Sequence, residues 1–162
     1  MEKVFESERI NFVKITDELV DDYVAMINDR DVQKLISHVV CSYSRDDELK
    51  WIEDKLKDGH PIFSMIDKNT NKFIGNIEIL HIKDNAGELG ISINQEMQNK
   101  HYGTEAIKRL LEYAFNDLKH TGMALYVFKT NERAIKVYKN CGFVILGDGR
   151  VNDEYRMIYK NN

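Results

Sequence analysis

The run Gln98-Asn99-Lys100-His101-Tyr102-Gly103-Thr104 places amide, ammonium, imidazole and hydroxyl groups directly ahead of a strongly patterned apolar stretch. A helix beginning there exposes unpaired backbone N–H groups at the positive end of its dipole, and an anion, above all a phosphate, is their natural partner. Gly103 has no Cβ to hold a ligand off the backbone. Lys100 adds a charge and Thr104 a hydroxyl. The same glycine would serve a turn or close packing equally well, so the run alone marks a candidate anion site and no more. Neither GxxxxGK[ST] nor GxGxxG occurs in the chain, which counts against nucleotide hydrolysis and dinucleotide binding.

Such a turn needs a strand before it and a helix after it. From Tyr102 onward Ala106, Leu110, Ala114 and Leu118, with Ile107 and Leu111 beside them, recur at helical spacing. Upstream, PIFSMID (61–67), KFIGNIEIL (72–80) and GELGISI (87–93) read as three strands, the first two separated by the turn-like KNTN. Near the start, ERINFVKI (8–15) reads as a strand, and Thr16 caps a helix over DELVDDYVAMIN. A second helical stretch runs from Asp31 to Ser37. Ser44 opens a third, RDDELKWIEDKLKDG, with Leu49, Ile52 and Leu56 on one face and Gly59 as a left-handed C-terminal cap. Beyond the long helix come a strand, ALYVFKT, a helix over NERAIKVYKN capped by Asn131 and ended by Gly142, and two strands, FVILGDG and EYRMIYK. Mixed order of this kind predicts an α+β sheet with helices on both faces.

The bulk numbers fit one domain over residues 1–162. A formal net charge of −4 argues against a general nucleic-acid binder, which needs a basic excess. The opening residues lack the apolar core of a signal peptide and no stretch approaches a membrane span, so the expected compartment is the cytoplasm, without a membrane partner. Cys41 and Cys141 stand outside any CxxC or Cys/His metal spacing and read as reduced thiols, and no metal site is expected.

Taken together, GELGISINQEMQNKHYGTEA, a helix, a short strand and NERAIKVYKNCGF resemble the GNAT superfamily of acyl-CoA-dependent N-acetyltransferases, nearest its RimJ/RimL-type and spermidine N-acetyltransferase branches. The resemblance implies a mixed, mostly antiparallel central sheet of six to seven strands with helices on both faces. It implies acetyl-CoA as acyl donor and a primary amine as acceptor, whether a peptide N-terminus, a polyamine or another small amine. The superfamily's pyrophosphate signature is Q/R, two residues, G, one residue, then G or A. Gln98 fills its first position and Gly103 its last, while His101 stands where the first glycine belongs. Residues 98 to 104 would then hold the diphosphate, and the backbone of Ile91, Ser92 and Ile93 would pair with the pantetheine arm.

The resemblance assigns further roles. Glu88 matches the glutamate that accepts a proton in many relatives, and on the sequence alone reads better as an exposed strand carboxylate. Tyr138 matches the tyrosine that protonates the departing thiolate, and is equally a helix residue packed with Ala134 and Cys141. Asn131 contacts the cofactor arm in relatives and its capping role leaves the amide nitrogen free for that. Lys136, with Arg133 and Lys139, either reaches the adenosine phosphates or forms a solvated helix face. Transfer would be direct, in a ternary complex, because no cysteine accompanies the site as a covalent relay needs. The acceptor region would lie around Val32 to Tyr43 and the GDGRVNDEY turn, where Asp153 and Glu154, with Asp46, Asp47 and Glu48 upstream, would attract a cationic amine. A homodimer fits the resemblance. The alternative is a non-catalytic acyl-CoA-binding or regulatory module of the same fold, which His101 invites.

Overall fold

A computed structural model of the chain describes residues 1–37 and 39–160. Eight strands and five α-helices follow one another among them: β1 (Lys3–Glu6), β2 (Ile10–Lys14), α1 (Val20–Asn28), α2 (Arg30–Ile36), α3 (Arg45–Asp58), β3 (Ile62–Asp67), β4 (Phe73–Lys83), β5 (Ala86–Ile93), α4 (Tyr102–Glu112), β6 (Gly122–Phe128), α5 (Glu132–Asn140), β7 (Phe143–Asp148) and β8 (Glu154–Tyr159). The α+β class is as expected, with eight strands in place of six to seven. The addition is β1, in which only Phe5 is buried, so the segment carries no alternation to read. Tertiary pairing makes it a strand: Phe5 faces Phe12 of β2, and the two rings stack with centroids 4.5 Å apart.

Two compact units make up the chain, one from Met1–Glu78 with Ile91–Tyr102 and the other from Ile79–Gly90 with Gly103–Asn162. In the first unit β1, β2, β3 and the start of β4 are successive antiparallel neighbours. Its core joins Val13 and Ile15 to Leu19, Val20, Tyr23 and Met26 before and within α1, Ile52 of α3, and Ile62, Ile66 and Phe73 of the sheet. Tyr23 is 1% exposed, and its hydroxyl donates to Ser64 at 2.6 Å, which donates onward to Asn76 at 2.7 Å. Burying that phenol is tolerable because the chain of hydrogen bonds satisfies it.

Local signals set the helix ends. Thr16 accepts from Glu18 N at the head of a short 3-10 turn, after which α1 begins at Val20. Ser44 and Asp47 form a reciprocal capping box on α3, and Gly59 closes it at φ 74°. One expectation for α3 fails: Ile52 is buried, but Leu56 is 55% exposed. The core ends before the last turn of α3, whose Lys55 instead meets Glu78 at 3.2 Å.

In the second unit β5 pairs with β6 in parallel, Glu88 opposite Ala124, and β6, β8 and β7 continue antiparallel. Ala106, Leu110 and Ala114 are fully buried as the spacing predicts. Leu118 is only half-buried, because residues Tyr113–Asp117 form a π-turn that adds a residue to the helical repeat. Gly142 sits at φ 104°, where a Cβ would come within 2.8 Å of the Tyr159 ring. No helix among the described residues is long and apolar enough to cross a membrane.

Candidate active site

In the first unit the anion turn has an unusual backbone. Asn99 has φ 62° and His101 φ 65°, the left-handed region that a residue with a Cβ enters at a cost of about 1–2 kcal/mol. This is the physical reason for a glycine in the signature position that His101 occupies. Histidine and asparagine enter the region more readily than most residues, and the His101 side chain is exposed. A left-handed residue set against right-handed backbone turns successive N–H groups toward a common point, the form of an anion-binding concavity. His101 directly precedes α4, so the turn stands at the positive end of that helix.

Gln98 stays close to home, its Nε2 donating to Ile93 O at 2.9 Å and thereby tying the turn to the end of β5. Ser92 lies against Gly75 of β4, where an added Cβ would sit 2.0 Å from the Ser92 carbonyl. Of the backbone proposed for a pantetheine arm, the Ile93 carbonyl is therefore already engaged within the unit, and Ser92 packs closely on Gly75.

The second unit holds the remaining expected residues. Glu88 Oε1 lies 3.3 Å from Nδ1 of His81, with the carboxylate side chain 19% and the imidazole 72% exposed. His81 itself is left-handed at φ 49°. Tyr138 is half-buried on α5, its ring edge-on to Phe143 at 6.2 Å. Burial, with a smaller contribution from Cys141, pushes its phenol up to about 12. Asn131 accepts from Ala134 N at 3.2 Å, which uses only its oxygen.

Lys136 is exposed. Together with Lys129, Lys139, Ile135 and Tyr155 it lines an open hollow of about 440 Å³. Lys129 there is paired with Asp148 at 2.7 Å. Gly103 and Thr104 are half-buried at the head of α4, and the Thr104 carbonyl accepts a hydrogen bond from the Cys141 thiol at 3.8 Å. Cys141 is 7% exposed and burial pushes its thiol up, which leaves it a poor nucleophile.

Two expectations about acceptor-binding acids change. Glu154 is not available to a cation, because it is 3% exposed and accepts from Arg150 N at 2.7 Å and Arg150 Nε at 2.9 Å. The turn between β7 and β8 closes on its carboxylate. Asp47 is engaged at the head of α3, where Ser44 N–H and hydroxyl hold its carboxyl below the usual range. Glu48 differs: at 7% exposed, it is pushed up by burial and then by Asp47. Of the acceptor region from Val32 to Tyr43, His38 lies outside the described residues.

The sequence reading passed over Arg9 and Asp67, which touch the anion turn, and over His81 beside Glu88. Arg150, in the GDGRVNDEY turn, has its guanidinium 4.2 Å over the Tyr126 ring, and its charge is favoured first by Glu154 and further by Glu88. No local motif marks these residues.

The turn with left-handed Asn99 and His101 lies directly ahead of α4 and is tied by Gln98 to the end of β5. The sequence matches the family model for the acetyltransferase (GNAT) domain over residues 9–144, and the chain belongs to that family. Among its relatives is the spermidine N(1)-acetyltransferase of Vibrio cholerae, 29% identical over 126 residues, covering 71% of this chain and 73% of that protein. The Escherichia coli K12 protein of the same name is 36% identical over 84 residues, 49% of this chain and 45% of its own. Acetyltransferase PseH of Campylobacter jejuni is 21% identical over 152 residues, 94% of this chain and 92% of its own.

Among solved structures, Vibrio cholerae spermidine N-acetyltransferase in complex with CoA and spermine superposes with TM-score 0.84 at 23% identity, covering 94% of this chain and 95% of that one. A GNAT-family acetyltransferase from Bacillus anthracis gives TM-score 0.83 at 21% identity, with the same coverage. These likenesses show the fold. Family membership makes the chain an acetyl-CoA-dependent N-acetyltransferase, an enzyme with acetyl-CoA as donor and an amine as acceptor.

Proposed function

We propose that this enzyme acetylates a primary amine of a polyamine, by direct attack with both substrates bound, and that residues 1–162 act as one catalytic domain. The acceptor class rests on the acid-rich part of the first unit. Glu48 is nearly buried with its carboxyl pushed up by burial and by Asp47, and Asp22 is pushed up by desolvation, then by Asp21 and Glu96. Carboxylates set close to one another, as Asp22 is to Asp21 and Glu96, and Glu48 to Asp47, gain from a cation placed among them, and a polycation serves several at once. The names of the Vibrio cholerae and Escherichia coli relatives support the same reading.

When bound, acetyl-CoA supplies an activated thioester carbonyl. In this reading the N–H groups of residues 99–104 and the Lys100 ammonium bind the diphosphate, and Lys136 binds a further phosphate. Asn131 and the backbone of Ile91 to Ile93 orient the arm. An alkyl ammonium has a pKa of about 10.4 and must lose a proton before it attacks. Glu88 receives that proton. Tyr138 gives its proton to the departing sulfur; burial pushes its phenol up to about 12, which keeps the proton in place through the neutral range and also makes it a weaker acid. Cys141, buried and with its thiol pushed up, does not serve as an acyl relay.

The test is a thiol-release screen of acetyl-CoA against polyamines, aminoglycosides, amino acids and short peptides with free N-termini. We expect spermidine-like amines to exceed every other class by about tenfold or more in kcat/KM. A preference for peptide N-termini or aminoglycosides would overturn the acceptor class. No turnover with any amine would remove the catalytic reading of Glu88 and Tyr138.

A further inference from the structure

Left-handed backbone at residues that carry a Cβ persists only where the surroundings hold it, and the anion turn contains Asn99 and His101 in that state. The surroundings are specific. Arg9 donates from Nη1 to the Lys100 carbonyl at 3.0 Å, across 91 residues of sequence. The same guanidinium lies 4.3 Å from the centroid of the Tyr102 ring. Tyr102 in turn donates its hydroxyl to Asp67 Oδ2 at 2.5 Å.

Asp67 is 4% exposed and its other oxygen is fixed independently. Oδ1 accepts from the N–H groups of Asn69 and Thr70, each at 2.9 Å, and from the Thr70 hydroxyl at 3.1 Å. Arg9 is anchored too, its carbonyl accepting from Lys68 N at 2.8 Å. The register explains why the pair meets: Ile10, next to Arg9, faces Asp67 across β2 and β3. One end of a strand pair thus presents a cation and a carboxylate to residues 100 and 102, on either side of His101.

We propose that Arg9 and Asp67 are positioning residues which, through Lys100 and Tyr102, hold the 98–103 turn preformed for the diphosphate of the acyl donor. The proposal rests on the reading of that turn given above. Neither residue touches the donor in it. A turn already in its bound shape spends no binding energy on ordering itself, so the clamp acts on donor affinity and leaves turnover of the filled site alone. The Asp67 carboxyl is held below the usual carboxylate range, first by the Tyr102 hydrogen bond, in keeping with an ionised acceptor there.

The experiment compares acetyl-CoA with acetylpantetheine, which has the thioester and arm but no diphosphate, in the wild type and in Arg9→Met, Arg9→Lys and Asp67→Asn. Asp67→Asn keeps an oxygen for Asn69 and Thr70 while presenting a weaker partner to Tyr102. We expect KM for acetyl-CoA to rise about tenfold in Arg9→Met and in Asp67→Asn, equivalent to about 1.4 kcal/mol. kcat at saturation, KM for the amine, and kcat/KM for acetylpantetheine should hold, and Arg9→Lys should recover part of the loss.

Equal losses with both donors, or an unchanged acetyl-CoA KM in the two folded variants, would overturn the clamp. Should Asp67→Asn fail to fold, the Arg9 pair decides alone, since that side chain is only half-buried. A wild type that uses both donors equally well would instead sink the underlying reading of the turn, and is distinguishable because it is measured before any substitution.

Discussion

Replacing His101 by glycine isolates the backbone strain in the anion turn. His101 sits at φ 65° with its imidazole exposed, so the substitution removes strain and little packing. The left-handed conformation costs a residue with a Cβ about 1–2 kcal/mol, while glycine gives back about 0.4–1 kcal/mol by widening the unfolded ensemble. The net expectation is a gain of about 0.5–1 kcal/mol, or about 1–4 °C in Tm for a chain of this length. Asn99, at φ 62°, is the control. Asparagine tolerates this region better than most residues, so Asn99→Gly should gain less. Because the described contacts of Gln98, Lys100 and Tyr102 that hold the turn do not involve the imidazole, KM for acetyl-CoA should stay within about twofold. Thermal unfolding and a thiol-release titration of acetyl-CoA check both quantities. A lower Tm in His101→Gly, or a gain no larger than that of Asn99→Gly, refutes the strain argument. A tenfold rise in KM with stability intact would show that the imidazole itself holds the anion.

Two other substitutions probe the chemistry and the acid cluster. Tyr138→Phe should lower kcat by about a hundredfold or more, with the CoA dissociation constant from calorimetry almost unmoved; since burial lifts the phenol to about 12, wild-type kcat should show no alkaline loss from this group below about pH 10. Equal turnover in the two proteins would remove Tyr138 from the mechanism. Glu48→Gln should raise Tm near pH 7 and weaken polyamine KM. The folded Glu48 carboxyl is raised, so it holds its proton more tightly than the unfolded one. Its penalty on folding is present above the raised value and vanishes as pH falls through it to the ordinary carboxylate value. The Tm gain should therefore fade on acidification, and a gain that persists at about pH 3 would refute the assignment.

Much of the molecule was readable without coordinates because its signals are local. Ser44, Gly59 and Asn131 cap helices as their side chains and spacing predict, since a cap depends on residues within one turn of itself. The buried stripe Ala106, Leu110 and Ala114 follows from helical period alone. The run 98–104 marked a candidate anion site and, through its resemblance, a family that the comparison then established. His101 could be flagged as a departure from the signature, though not as a residue in left-handed backbone.

Other features depended on partners far along the chain. β1 exists because β2 offers it a ladder and Phe12 a ring to stack on. Leu56 is exposed because the core stops one turn short of it. Glu154 turns from a candidate cation ligand into the closure of its own hairpin once Arg150 folds over it. Arg9 and Asp67 stand 91 residues from Lys100 and 35 from Tyr102 in sequence, and only the register of β2 on β3 brings them to the turn. Residue types and short spacings determine caps, periods and the chemistry a segment could perform. Which distant side chains complete it is decided by strand pairing, because a register is a property of two segments and is written in neither.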